Sequence, residues 1–135
     1  MDTPRLFKLY EELEKGEKGL GHSSCSYGLV STEDTEFVNW SGTIVGPPST
    51  NFSDRIYMLE IECGHDYPTG PPKVKFNNKI NLSCVNGSGI VDFHSMGAFN
   101  WSSAESMETA LIGIFKEMQS SSNKSKPQPA EGEMY

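Results

Sequence analysis

Four stretches between residues 25 and 76 alternate apolar and polar side chains with a period of two, and this pattern constrains the fold most. Such alternation is typical of strands that bury only one face. The side chains predicted to face the core are Cys25, Tyr27 and Leu29, then Val38, Trp40 and Ile44, then Tyr57, Leu59, Ile61 and Cys63, and finally Val74 and Phe76. Turn-forming segments such as Ser31–Asp34 and Gly46–Pro48 separate the stretches. We therefore expect an antiparallel four-stranded meander with one face in water.

An amphipathic helix is predicted before this meander. Thr3 can cap it, Pro4 suits its first helical position, and Gly16 is expected to end it. The arc predicted to face the core consists of Leu6, Leu9, Tyr10 and Leu13. Phe7 lies just outside this arc, so it either packs on a neighbouring loop or projects as an anchor for another protein.

A second helix is predicted after the meander. Residues 77–101 are irregular and rich in Asn, Ser and Gly, which indicates a long loop that wraps the core or has a function. Ser102 and Glu105 then form a capping-box pattern. The buried stripe of this helix is predicted to be Met107, Leu111, Ile114 and Met118. The expected fold class is α+β, with one domain over residues 1–121 and a tail, 122–135, that packs on it or extends from it.

The charge and the cysteine count exclude several classes of function. The net charge is −7 and no cluster of Lys and Arg is present, so nucleic acid is not an expected partner. No apolar run is long enough to cross a membrane. The three cysteines are an odd number, which favours reduced thiols and a location in the cytoplasm and nucleus. The histidines form no ligand set with them, so we expect neither a metal nor a cofactor.

The water-exposed face of the meander combines apolar and small polar residues. Its members are predicted to be Ser26, Ser41, Thr43, Ile56 and Met58. Two apolar side chains among small polar ones fit a modest binding patch. They fit equally well the isolated apolar residues that any protein surface carries.

Several sequence motifs resemble the variant subgroup of the ubiquitin-conjugating enzyme family, the subgroup that builds polyubiquitin chains. The matching segments are Pro4–Phe7, Tyr10–Gly16, Ile44–Pro48, Asn51–Tyr57, Cys63–Gly64 with Tyr67–Pro68, Pro71–Val74, Lys79–Asn81 and Lys126–Pro129. The resemblance implies the fold of that family: an N-terminal helix, a four-stranded antiparallel meander, a long loop and one following helix. Active enzymes continue into two further helices, and this sequence stops before them.

The active-site motif of the family is missing. In active relatives a His-Pro-Asn tripeptide precedes the cysteine that accepts ubiquitin as a thioester. That tripeptide falls on Leu82-Ser83-Cys84 here, and the slot of the nucleophile falls near Asp92. Cys84 and Asp92 are therefore interpreted as vacated active-site positions, which implies a chain that is not an enzyme by itself. The competing interpretation is an active enzyme that uses Cys84 as a displaced nucleophile.

The resemblance implies a heterodimer with an active ubiquitin-conjugating enzyme that makes lysine-63-linked chains for DNA damage tolerance or signalling. It also allows a RING-type ligase to bind through that partner. The residues matching the partner interface of the family are Pro4, Arg5 and Phe7. Those matching its contact with an acceptor ubiquitin are Ser26, Thr43 and Ile56. Two other functions stay open, namely a trafficking-adaptor type of variant and an interaction module unrelated to ubiquitin.

Overall fold

A four-stranded antiparallel sheet forms the centre of the computed structural model, which describes residues 3–19, 22–96 and 99–135, with the side chains of residues 3 and 4 left out. The strands are β1 (Cys25–Leu29), β2 (Asn39–Val45), β3 (Ile56–Glu62) and β4 (Lys73–Phe76). They pair in the order β1-β2-β3-β4, each antiparallel to the next. In each strand buried and exposed residues alternate, so the meander predicted from the period-two pattern is confirmed.

Two helices complete this α+β fold. Helix α1 spans Thr3–Lys18 and packs on β1, and helix α2 spans Met107–Gln119 and packs on β1 and β2. The stripe predicted for α2 is confirmed, because Met107, Leu111, Ile114 and Met118 are all fully buried. Between β4 and α2 a short 3-10 helix, Phe93–Ser95, interrupts the loop. In the described parts of the chain, no helix has the length and apolar character that crossing a membrane requires.

Helix α1 does not end at Gly16, as the sequence suggested, but two residues later. A Cβ atom at Gly16 would lie 2.8 Å from the ring of Tyr27 and 2.9 Å from its carbonyl oxygen, so this glycine allows β1 to approach the helix closely. The helix ends at Lys18, and Gly19 follows with a φ of +91°. A positive φ is the usual way in which a chain leaves a helix.

Helix α2 begins later than the capping-box pattern at Ser102 and Glu105 indicated. Those two residues form a turn, in which the Glu105 N–H donates to the Ser102 carbonyl oxygen at 2.9 Å. The capping box is made instead by Ser106 and Thr109, whose side chains and backbone N–H groups bond reciprocally. The sequence indicated the wrong start for α2 because Ser102 with Glu105 and Ser106 with Thr109 both show a serine followed three residues later by a side chain that can accept a hydrogen bond.

The face of α1 that packs on the core also differs from the predicted arc. Leu9 is fully buried and Leu13 is half-buried, as expected, whereas Leu6 and Tyr10 are exposed. Their places on the buried side are taken by Arg5 and Glu12, both of which are buried. A hydrophobic wheel misses this arrangement because it assumes that charged side chains point to water. Here both side chains make hydrogen bonds inside the protein.

Candidate binding surfaces

The outward face of α1 carries three large exposed side chains, which we call the outer stripe: Leu6, Phe7 and Tyr10. They are 46%, 63% and 51% exposed, respectively. Residues three and four apart on a helix are neighbours, so Phe7 and Tyr10 form one contiguous surface with Leu6 beside them. Aromatic side chains of this size on a helix face are typical anchors of protein interfaces.

Arg5 fixes the orientation of this stripe from the opposite side of the helix. Its guanidinium donates to three backbone carbonyl oxygens, those of Gly64 at 2.9 Å, Glu36 at 2.8 Å and Cys63 at 2.8 Å. Arg5 is 8% exposed and bonds inside the protein through three of its five N–H groups, and its predicted contact with a partner stays a prediction. The side chain of Pro4 lies outside the described residues, so its role stays a prediction.

Glu12 provides a second buried anchor, about two turns further along α1. Its carboxylate accepts from the Tyr67 hydroxyl at 2.6 Å and from the Met107 N–H at 2.8 Å. The Met107 N–H is the first of α2, so this bond ties the start of α2 to α1 and satisfies a donor that a helix cannot satisfy itself. The Glu12 carbonyl oxygen accepts from the Tyr27 hydroxyl at 2.6 Å. These hydrogen bonds therefore hold α1 against β1, α2 and the loop that contains Tyr67.

The exposed side of the sheet presents a second surface, which we call the sheet patch: Ser26, Thr43, Val45, Ile56 and Met58. Strand register places Ser26 opposite Thr43, Thr43 opposite Met58, and Val45 opposite Ile56. The three residues singled out from the sequence, Ser26, Thr43 and Ile56, therefore lie in two adjacent rows of the same face. Ile56 is 62% exposed and Met58 is 44% exposed, so the patch has an apolar centre open to water.

The other half of the same face is charged. Its members are Asn39, Ser41, Glu60, Glu62, Lys73 and Lys75. Glu60 lies opposite Lys75 and Glu62 lies opposite Lys73, so the charges complement each other across β3 and β4. The exposed face of the sheet therefore has an apolar half, which is the sheet patch, and a charged half whose charges complement one another. This division distinguishes the sheet patch from scattered apolar surface residues.

Cys84 and Asp92, the two residues interpreted as vacated active-site positions, lie next to each other. The Asp92 N–H donates to the Cys84 carbonyl oxygen at 2.7 Å. Cys84 is only 1% exposed, and its burial, followed by the negative charges of Glu117 and Asp92, raises the pKa of its thiol to about 12. Asp92 is exposed and caps the short 3-10 helix by accepting from the His94 N–H and the Ser95 hydroxyl. At such a pKa the Cys84 thiol is almost wholly protonated at neutral pH, and Asp92 has no thiol.

The remaining thiols are no better suited to chemistry. Cys25 and Cys63 are buried and unpaired, and burial raises the pKa of both, that of Cys25 to about 11.

Across residues 3–19, 22–96 and 99–135, no three side chains of His, Cys, Asp or Glu converge in a way that could hold a metal ion. A groove of about 490 Å³ lies beside Asp92, lined in part by Pro72, Trp101 and Lys73.

Comparison with known proteins agrees with these features. The model of the ubiquitin-conjugating enzyme family matches residues 8–135. The ubiquitin-conjugating enzyme variant MMS2 of Saccharomyces cerevisiae is 52% identical over 98% of each chain. The ubiquitin-conjugating enzyme E2 variant 1B of Arabidopsis thaliana is 46% identical over 96% of this chain and 83% of that one. The protein belongs to the ubiquitin-conjugating enzyme variant family.

The fold of this variant is also that of solved structures in the broader family. A structure of human ubiquitin-conjugating enzyme E2 G1 has a TM-score of 0.74, at 24% identity, and the match covers 88% of this chain and 97% of that one. At this identity the match concerns the fold only. It agrees with the arrangement of helices and sheet predicted from the resemblance.

Sequence reasoning missed several exposed residues of the variant that extend the two surfaces. Leu6 and Tyr10 were assigned to the core, but the structure places them beside Phe7. Val45 adjoins Ile56 on the sheet. No sequence signal marked the first two, because only the structure shows that Arg5 and Glu12 lie on the inner face of α1, which turns Leu6 and Tyr10 outward. Hydrophobicity gave no reason to choose that rotation.

Proposed function

We propose that this variant is the non-catalytic subunit of a heterodimeric ubiquitin-conjugating complex. It binds an active conjugating enzyme and an acceptor ubiquitin, and it orients that ubiquitin so that the partner builds lysine-63-linked chains. One observation carries the proposal: Cys84, the cysteine nearest the catalytic position, is buried, with its thiol pKa raised to about 12. A chain without a reactive thiol can serve conjugation only through what it binds.

The outer stripe of α1 is the surface we assign to the partner enzyme. Phe7, the most exposed of its members, is the residue that matches the anchoring aromatic of the family. Arg5 and Glu12 hold the helix from its inner side, so Phe7 is presented on a rigid support. A pre-oriented aromatic loses little conformational freedom on binding, which favours its role as the main anchor of the interface.

The sheet patch is the surface we assign to the acceptor ubiquitin. Ser26, Thr43 and Ile56 match contact residues of the family, and the patch has the apolar centre and polar surroundings that protein interfaces use. Binding here requires no acid, base or nucleophile from the variant. Its contribution to the reaction is to replace a random encounter between lysine and thioester by a held geometry.

Reconstitution tests the proposal directly. Activating enzyme, ubiquitin and an active conjugating enzyme that forms lysine-63 linkages are incubated with and without this chain, and the linkages are identified by mass spectrometry. Lysine-63-linked chains are expected only when this protein is present. The amount of these chains should be lower when the protein carries Phe7→Ala. Chains that form in the same amount and linkage without the variant would refute the proposed role.

The cellular setting is a further part of the proposal. Three unpaired, buried thiols support a reducing compartment, and we propose the cytoplasm and nucleus. A RING-type ligase would reach the complex through the active partner rather than through this subunit.

A further inference from the structure

The chain after α2 is bonded at several points to Arg55, just before β3, and to residues 77–81, which follow β4. The Arg55 guanidinium donates to the Pro129 carbonyl oxygen at 2.6 Å. The Asn81 N–H donates to the side chain of Gln128 at 2.9 Å, and the amide of Gln128 donates back to the Asn81 carbonyl oxygen. These bonds reach across 46 or more positions of the sequence and fix the path of the tail.

The last three residues are held as firmly as the rest of the tail. The Lys79 N–H donates to the Glu133 carbonyl oxygen at 2.9 Å, and the Tyr135 N–H donates to the Asn77 carbonyl oxygen at 3.0 Å. The Tyr135 hydroxyl donates to the Ile80 carbonyl oxygen at 3.2 Å. Met134 is fixed between these anchors, yet its side chain is 53% exposed. A large apolar side chain is thus presented to solvent from a backbone that is bonded on both sides.

A continuous series of contacts joins Met134 to the sheet patch. The Thr43 hydroxyl lies 3.7 Å from the Met58 sulfur. The Met58 N–H donates to the Asn78 side-chain oxygen at 2.7 Å, and the Asn78 amide nitrogen lies 3.4 Å from the Met134 sulfur. One carboxamide, that of Asn78, therefore bridges the strand that carries Met58 and the tail that carries Met134. Met134 therefore lies close to the sheet patch, with Asn78 between the two.

We propose that Met134 is part of the acceptor-ubiquitin contact and that the tail extends the sheet patch. This inference rests on the proposed function, because it assigns to Met134 the same occupant as Thr43 and Ile56. Continuity favours that occupant, since a protein lying on Ile56 and Met58 reaches Met134 through the single bridging residue Asn78. Methionine suits such a position because its flexible, polarizable side chain adapts to a partner surface.

The test compares two substitutions at one position. Met134→Glu places a charge on the proposed contact, whereas Met134→Leu keeps an apolar side chain of similar size. The wild-type protein and each substituted form are isotope-labelled, bound to the active partner and titrated with ubiquitin. NMR follows the binding. We expect Met134→Glu to weaken the ubiquitin Kd about fivefold, as for a contact outside the main hot spot, and Met134→Leu to stay within about twofold of the wild type.

Two further variants keep the outcome interpretable. Met134→Ala removes the side chain without adding charge and should weaken the ubiquitin Kd about threefold, while before ubiquitin is added the amide resonance of Lys79, which donates to the Glu133 carbonyl oxygen, stays unshifted because the tail stays in place. Ile56→Glu, at the centre of the sheet patch, should nearly abolish binding. If Ile56→Glu weakens binding and the Met134 variants do not, the role of the tail is refuted while the proposed function stands. If Ile56→Glu has no effect either, the proposed function itself fails.

Discussion

At the scale of single residues, Glu12 shows how a charge can be part of a core. Burial raises the pKa of its carboxyl above 4.5, and this effect outweighs the opposing hydrogen bonds from Tyr67 and Met107 and the attraction of Lys8. Ionised Glu12 therefore costs stability in the folded state relative to the unfolded chain. Glu12 instead helps to orient the two helices, because its carboxylate joins α1 to the first N–H of α2.

The raised pKa of Glu12 predicts a specific dependence of stability on pH. Between the unfolded value of 4.5 and the higher folded value, the native protein holds a proton that the unfolded chain has released. The contribution of Glu12 to the free energy of unfolding therefore decreases as the pH rises through this interval. Glu12→Gln keeps an acceptor for Met107 and cannot ionise, so this contribution should disappear.

Urea unfolding of wild type and Glu12→Gln between about pH 4 and about pH 8 measures the effect, since the difference between the two cancels every other titrating group. The stability of the wild type relative to Glu12→Gln should decline with increasing pH. A difference that is the same at every pH would contradict the raised pKa.

Cys84 supports a second prediction at this scale. A buried thiol with a pKa of about 12 is almost wholly protonated at neutral pH. Incubation of this chain with activating enzyme, ATP and ubiquitin should give no DTT-sensitive adduct on a non-reducing gel. Alkylation with iodoacetamide should leave all three cysteines unmodified in the native protein and label them in urea. A ubiquitin adduct that Cys84→Ser abolishes would restore the displaced nucleophile.

At the scale of secondary-structure elements, the sheet could be predicted from sequence and α1 could not be predicted in full. Strand periodicity depends only on which side chains are apolar. Trp40, Tyr57 and Phe76 are large apolar residues that clearly indicate which face of β2, β3 and β4 is buried. The orientation of α1 depends instead on carbonyl oxygens of a distant loop that receive the Arg5 guanidinium. No local pattern reveals such acceptors, so Leu6 and Tyr10 were assigned to the wrong side.

The outer stripe of α1 gives the prediction that belongs to this scale. Phe7→Ala should cost about 2 kcal/mol or more of affinity for the active partner, as is usual when a central interface aromatic is truncated. Val30→Ala is a control, because Val30 is also 63% exposed but directly follows β1 and is not part of α1. Calorimetry should detect the loss for Phe7→Ala only. Equal affinities for both variants would remove Phe7 from the interface.

At the scale of the whole molecule, the two surfaces lie on different elements and present no shared residue. The outer stripe belongs to a helix that packs on β1, while the sheet patch lies on the opposite side of the sheet from the core. The assignment of Cys84 and Asp92 to a vacated active site came from the sequence and stays a prediction, and the structure places the two residues next to each other. The contact between tail and patch could not be predicted from the sequence, because it depends on Asn78 bridging two distant segments.

The separation of the two surfaces predicts that chain synthesis and dimer formation can be uncoupled. Thr43→Glu places a charge within the sheet patch, next to Met58, and should stop the growth of free ubiquitin chains while the affinity for the active partner stays unchanged. Asn39→Glu adds the same charge to the same face of β2, about 13 Å away in the charged half, and should leave both activities intact. Chain synthesis in the reconstituted reaction and calorimetric titration of the partner measure the two properties independently. Normal chain growth with Thr43→Glu would remove the sheet from the reaction, whereas loss of partner binding would mean that the two surfaces are coupled through the fold.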